Sequence, residues 1–309
     1  MKMTKTVLIT GTYGFLGRNL ALGFKNAGYR VVGIGHGAWC YEEYSQFGID
    51  KWISSSITID SLMQLNEKID FAVHCGGSGS VGYSVEYPAL DFEKTVNSTL
   101  AVLEFLRILN PSAHFIYPSS PAVQGIHNDS PIKEDNAVIP LSPYGYHKRI
   151  SEMLCESYHK NFGLKITIIR FFSIYGMGLK KQLLWDACLK IEKAIEKVEF
   201  FGTGEETRDW VHISDAVKLI LKIVESNKSN FDIINCGSGI RITIKEVIEK
   251  IVSAFNKNIK IYFNGNNKPG DPKYYLADIS KALKLGWKPM VNIENGILEY
   301  VEWYMNNKK

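Results

Sequence analysis

Through the first half of the chain, short β-branched and aliphatic runs alternate with stretches whose apolar residues recur every three to four positions. Val7 to Thr10 predicts a strand, Asn19 to Ala27 most of a helix, Arg30 to Ile34 a second strand and Phe71 to Cys75 a third. A long helix is predicted over Phe92 to Leu109, a strand over His114 to Tyr117, a helix over Tyr144 to Phe162 and a strand over Lys165 to Phe171. This rhythm predicts an α/β fold, a doubly wound parallel sheet with helices on both faces. Beyond Gly176 the rhythm loosens: helices are expected around Leu183 to Glu196, Ser214 to Glu225 and Ile244 to Asn256, with a polar turn at Gly202 to Glu206. The expected division is a larger domain over 1–176 and a smaller mixed α/β domain over 177–309, with 209–235 returning to the larger one.

Composition narrows the classes without choosing among them. Of 309 residues 45% are hydrophobic and 22% charged, which excludes a disordered or fibrous chain. A net charge of +4 is too small at this length to mark a nucleic-acid or membrane surface, so a small anionic partner is the more economical expectation. Cys40, Cys75, Cys155, Cys188 and Cys236 are far apart and odd in number, which suits reduced thiols in a cytoplasm and predicts neither a disulfide frame nor a metal site. The apolar run after Lys5 is too short for a signal peptide or a membrane span.

Val7 to Thr10 runs into Gly11-Thr12-Tyr13-Gly14-Phe15-Leu16-Gly17, a glycine triplet on a strand-to-helix turn. Glycine permits the tight turn and a close backbone approach, and the free N–H groups at the helix start favour a pyrophosphate. The second strand of a dinucleotide fold usually ends in an acid that binds the adenosine ribose. Here Gly35 and His36 stand there, which leaves room for a 2′-phosphate and favours NADP over NAD. Tyr144 and Lys148 are four apart on one helix face, so the lysine charge can act on the phenol. Ser119 and Ser120 close a strand 24 residues before Tyr144, at the end of a parallel sheet where ligands sit.

In these features the chain resembles the extended short-chain dehydrogenase/reductases that act on nucleotide sugars: epimerases, dehydratases and ketoreductases. The likeness also includes His74-Cys75-Gly76-Gly77, Arg170 to Gly176, Gly202 to Asp215, Pro269-Gly270-Asp271, Ala277 to Ala282 and Leu285 to Pro289. The resemblance implies a Rossmann-like NAD(P)-binding domain and a nucleotide-sugar domain. It implies Ser120, Tyr144 and Lys148 as the catalytic trio, with Tyr144 and Lys148 also touching the cofactor. Gly11, Tyr13, Gly14, Phe15, Leu16 and Gly17 would hold the pyrophosphate, and Cys75, Gly76, Gly77 and Phe171 would line the cofactor; His36 is a cofactor candidate on its own account, as a donor beside the 2′-phosphate. Arg208 and Lys268 would meet the substrate diphosphate, Ser173 the substrate, and a homodimer is implied as well.

Departures from the family's pattern restrict the reaction. Pro121 and Ala122 stand where 4,6-dehydratases carry an acidic pair, and Pro121 and Met177-Gly178-Leu179 replace the cysteine and histidine of double epimerase-reductases. Hydride transfer at a single carbon, C4, remains. The missing ribose acid favours a ketoreductase of a nucleoside-diphosphate 4-keto sugar; a 4-epimerase with tightly bound NAD is the alternative. A non-catalytic dinucleotide sensor is a remote third, since such a protein is expected to lose Tyr144 and Lys148.

Overall fold

A computed structural model of the chain describes residues 4–125, 130–226, 230–266 and 273–307. Its strands are β1 (Thr6–Thr10), β2 (Arg30–Gly35), β3 (Lys51–Ser54), β4 (Phe71–His74), β5 (His114–Ser119), β6 (Lys165–Phe171), β7 (Ser173–Tyr175), β8 (Lys197–Phe200), β9 (Thr207–His212), β10 (Phe231–Cys236), β11 (Arg241–Thr243) and β12 (Lys260–Phe263). Seven of them form one parallel sheet in the order β10-β6-β5-β4-β1-β2-β3. Strand order reverses between β1 and β4, which leaves a crevice at their C-terminal ends. Every residue of β1, β4 and β5 is buried, as a sheet covered on both faces requires. Leu8, Val32, Ala72, Phe115 and Ile166 share one core with Val102, Phe105 and Leu106 of the helix Ser98–Leu109.

By its contacts the chain falls into two compact units. The first comprises Met1–Gly125, Asn136–Phe171 and Val217–Ile234; the second comprises Ile126–Asp135, Phe172–Ala216 and Asn235–Lys309. The chain crosses between units at Phe171 to Phe172, and Ile126–Asp135 is an excursion that the hydrophobic pattern does not announce.

The helix expected over Phe92 to Leu109 is broken. Pro88–Phe92 is one α-helical turn and Glu93–Asn97 is a π-helical turn, so the regular helix begins only at Ser98. The π turn brings Thr95 to the loop after β4, where its hydroxyl accepts the Ser78 N–H at 3.4 Å.

In the second unit β9 lies between β11 and β7, and β8 pairs in parallel with β12. Two buried carboxylates tie down its loops. Asp209 accepts the Ser238 N–H at 2.5 Å and O–H at 2.8 Å, and the Gly239 and Ala277 N–H groups at 3.0 Å. Asp215 accepts the Met290 and Val291 N–H groups at 2.7 and 2.8 Å, while its own carbonyl takes the Trp287 indole N–H. The fold thus uses Asp215 to hold a loop 75 residues away in sequence. Among the described residues no helix is long and apolar enough to cross a membrane.

Candidate active site

The crevice at the β1–β4 switch is built from the glycine turn. The Gly11 N–H donates to Ile34 O at 2.7 Å and the Cys75 N–H to Thr10 O at 3.0 Å, which fixes both loops to the sheet. Gly11 has φ +67°, and a Cβ there would stand 2.6 Å from Cys75 C, Cys75 O and Gly76 N, all of them backbone atoms. A Cβ on Gly17 would meet Gly11 O at 2.5 Å. The helix Phe15–Asn26 begins at Gly14 with no side-chain cap, so its first-turn N–H groups, on Phe15, Leu16 and Gly17, face outward for an anion. A backbone cradle closed by glycine at an uncapped helix start fits the pyrophosphate of a dinucleotide.

Where the sequence leads one to expect the adenosine, Gly35 closes β2, and His36 beyond it is exposed. The neighbouring surface is aromatic: Tyr13, Phe47 and Trp52 pack around Trp39, with the Arg18 guanidinium 5.2–5.6 Å from the Tyr13, Trp39 and Phe47 ring centres. Arg18 also donates to Tyr13 O at 2.5 Å, so the exposed Tyr13 ring is held by this cluster.

Ser120, Tyr144 and Lys148 come together at the end of β5. Ser142 caps the helix Pro143–Phe162 by accepting the Gly145 N–H at 3.2 Å, and Pro143 occupies its first turn. A Cβ on Gly145 would stand 2.5 Å from Ala122 O, so this helix start presses on the turn that carries Ser120. Ser120 hydrogen-bonds the Tyr144 phenol. Burial pushes that phenol up to about 12, the Ser120 bond opposes the rise and Asp91 adds to it. Lys148 is buried, donates to Pro118 O at 2.8 Å and lies 4.8 Å from the Tyr117 ring centre. Burial brings its ammonium down to about 8. The sequence suggests that Lys148 lowers the pKa of Tyr144; in the free protein burial dominates, and the serine is the group opposing it.

Cys75 sits beside Lys148, and burial pushes its thiol up to about 12 against the opposing effect of the lysine. Gly76 and Gly77 follow it, with the Gly76 N–H bonded to Thr10 Oγ1 at 3.3 Å. Phe171, buried, ends β6. In the second unit Ser173 of β7 pairs with Trp210 of β9, and Arg208, two residues earlier, shares that strand face. The Arg208 guanidinium donates to Thr207 O at 2.8 Å and stacks at 5.7 Å on Tyr275. Lys268, with Pro269-Gly270-Asp271, lies outside the described residues.

Several supporting groups are given no role by the sequence. Glu152 forms a bidentate pair with Arg170 at 3.0 and 2.9 Å and accepts from Ser119 at 2.7 Å. His74 bridges Thr10 at 2.6 Å and Ser98 at 3.1 Å, and burial lowers its pKa to about 3, so it stays neutral. Asp91 lies 2.5 Å from His147, which stands inside the Tyr144–Lys148 motif. A histidine next to the lysine is visible in the sequence; its partner 56 residues upstream is not.

The family model for the NAD dependent epimerase/dehydratase family matches residues 7–237. A putative UDP-glucose 4-epimerase of Methanocaldococcus jannaschii is 31% identical, covering 79% of this chain and 82% of that protein. The UDP-glucuronate 4-epimerase of Thermodesulfobacterium geofontis is 28% identical across 97% of this chain and 96% of its own length. The UDP-glucuronic acid 4-epimerase of Bacillus cereus, solved with UDP-glucuronic acid and NAD, superposes with a TM-score of 0.87 at 28% identity, covering 97% and 99% of the two chains.

Proposed function

Because the chain belongs to the NAD dependent epimerase/dehydratase family, we propose that it interconverts the C4 epimers of a UDP-sugar with NAD as its dinucleotide. The observation that carries this choice is that relatives similar over nearly the whole chain are described as UDP-sugar 4-epimerases, one of them solved with NAD. That outweighs the missing acid at Gly35, on which the ketoreductase and the NADP preference rested. The aromatic cluster around Trp39 offers another way to hold an adenosine that does not need a carboxylate at β2.

In this reading NAD supplies a reversible hydride acceptor when bound. Tyr144 moves the proton of the sugar's C4 oxygen in both directions, and Ser120, bonded to the phenol, orients that oxygen. Lys148 contributes a fixed positive charge beside the reacting groups. Gly11, Tyr13, Gly14, Phe15, Leu16 and Gly17 receive the pyrophosphate, and Cys75, Gly76, Gly77 and Phe171 line the rest of the dinucleotide, with His36 at its exposed adenosine end. Ser173 and Arg208 are assigned to the sugar nucleotide; a guanidinium is suited to a diphosphate. Two copies are expected to pair through apolar residues left exposed on the first unit's helices.

The test is to denature the purified protein, identify the released dinucleotide and incubate the native protein with UDP-glucose, UDP-glucuronic acid or UDP-N-acetylglucosamine. Stoichiometric NAD and a mixture of C4 epimers support the reading. A protein free of NAD that consumes NADPH with a UDP-4-keto sugar would replace it with the ketoreductase.

A further inference from the structure

The helix Pro143–Phe162 carries a third ionisable group between the two that the proposed reaction uses. His147 is buried, three residues after Tyr144 and one before Lys148, and its Nδ1 lies 2.5 Å from Oδ2 of Asp91. A carboxylate offers only acceptors, so Nδ1 carries the hydrogen and the ring orientation is fixed. Phe92 packs edge-on against the imidazole at 5.3 Å. Asp91 comes from another element, the turn Pro88–Phe92, and is 0% exposed. Its second oxygen, Oδ1, is buried with no hydrogen-bond partner among the described residues.

A buried structural carboxylate ordinarily has its oxygens satisfied, as Asp209 has with four donors here. Asp91 is half-satisfied, an arrangement that costs stability and that clusters at working sites. Its field reaches both members of the reacting pair, raising the pKa of Tyr144 and of Lys148. Cys75, Glu152 and Cys155 also favour the Lys148 ammonium, Cys75 foremost. The two thiols, however, are held protonated by burial, as is the Tyr117 phenol whose ring lies 4.8 Å away, and the carboxylate has its own cation. Glu152 is matched by Arg170 and approached by Arg149 at 3.5 Å. Burial also keeps His74 uncharged. Tyr144 faces only Ser120 besides Asp91 among the groups that shift it.

We propose that Asp91, held in place by His147, is a positioning residue that supplies the counter-charge of the Tyr144–Lys148 pair and thereby sets the pH range in which the pair works. The inference rests on the assignment of Tyr144 and Lys148 as the reacting groups. Without the carboxylate, the buried ammonium of Lys148 gives up its proton at lower pH, so the alkaline limb of turnover moves down.

The experiment uses full-length protein labelled with [13C]lysine, with the Lys148 signal assigned by its loss in Lys148→Arg. In Asp91→Asn the Lys148 titration midpoint is expected to fall by about one pH unit or more, the usual effect of removing a nearby opposite charge. The alkaline limb of kcat in the NAD-loaded enzyme is expected to fall with it. Should Asp91→Asn not fold, the double variant Asp91→Leu with His147→Leu carries the same prediction, since an apolar replacement of a buried pair is commonly tolerated. A folded variant whose midpoint and limb are unmoved overturns the proposal, because a purely structural pair would change stability and leave both in place. The functional assignment fails separately: a wild-type protein inert toward every UDP-sugar, with the midpoint still shifted by Asp91→Asn, overturns the epimerase and leaves the counter-charge standing.

Discussion

At the residue scale, the site's most restrictive feature is the space at Gly11. With φ +67° and three backbone atoms at 2.6 Å from any Cβ, no rotamer change can admit a methyl group, so the loop after β4 has to move. Gly11→Ala is expected to lose the dinucleotide, measured as nucleotide released per mole of protein, and to lower Tm through about 1 to 3 kcal/mol of backbone strain. Tyr144→Phe separates chemistry from binding. It removes the proposed proton carrier and leaves the glycine cradle intact, so the variant is expected to retain NAD while epimerisation falls by about 10^2 to 10^4-fold. The Lys148 ammonium, brought down to about 8 by burial, predicts a pH signature in wild type. Turnover is expected to decline as pH rises through about 8, where the charge is lost. Stability runs the other way. Because the folded value lies below the unfolded one of 10.5, the unfolded state binds more protons between about 8 and 10.5, and Lys148 makes folding more favourable as pH rises through that window. A pH–rate profile beside a pH series of denaturation midpoints checks both signs, and a turnover that holds steady to pH 10 would remove Lys148 from the mechanism.

At the element scale, what was legible depended on whether a physical rule acts over short sequence distance. β6 was readable to the residue at Lys165 and Phe171, and the Pro143–Phe162 helix to within one, because periodicity, Ser142 and the glycine after Phe162 are all local signals. That Ser120 meets the helix face of Tyr144 and Lys148 was legible in the same way, as a strand end and an i, i+4 spacing. The π turn at Glu93–Asn97 was not: its extra residue preserves an apolar pattern that reads as a continuous helix, and its cause lies in contacts of Thr95 and Ser98 with the loop after β4 and with His74. β3, with every residue partly or fully exposed, and β9 lacked a strong apolar run. Strand β9 is held through Asp209, whose four donors come from residues 238, 239 and 277, too far along the chain for any local pattern to announce. Asp209→Ala strands those donors and is expected to cost about 2 to 3 kcal/mol, seen as a fall in Tm of at least about 4 °C. Asp209→Asn, which keeps an acceptor oxygen, is expected to recover part of the loss; equal stability of wild type and the alanine variant would show that β9 is held by other means.

At the scale of the whole molecule, the distribution of apolar surface bears on assembly. Tyr146 and Met153, seven residues apart on the helix Pro143–Phe162, point outward together, as do Leu100 and Ile108 on the helix Ser98–Leu109 beside it. Leu90 and Phe92 extend the same apolar character along the chain that leads into the second helix. Scattered exposed leucines are ordinary, but a stripe on two adjacent helices is the geometry of helix-to-helix pairing, where a second copy supplies the same two helices by symmetry. A stable pair needs about 1,600 Å² of total buried surface, which four helices can provide. The helix that would be paired is also the one that carries Tyr144 and Lys148, away from that stripe, so pairing would stiffen the element that positions the proposed reacting groups. The protein is therefore expected to sediment at twice its mass of 34.9 kDa. Met153→Lys combined with Leu100→Lys should shift it to the monomer with its bound NAD retained, since neither residue faces the glycine turn. A wild-type monomer at micromolar concentration would assign the stripe to some other partner, and a charged variant that remains a dimer would place the pairing surface elsewhere on the molecule.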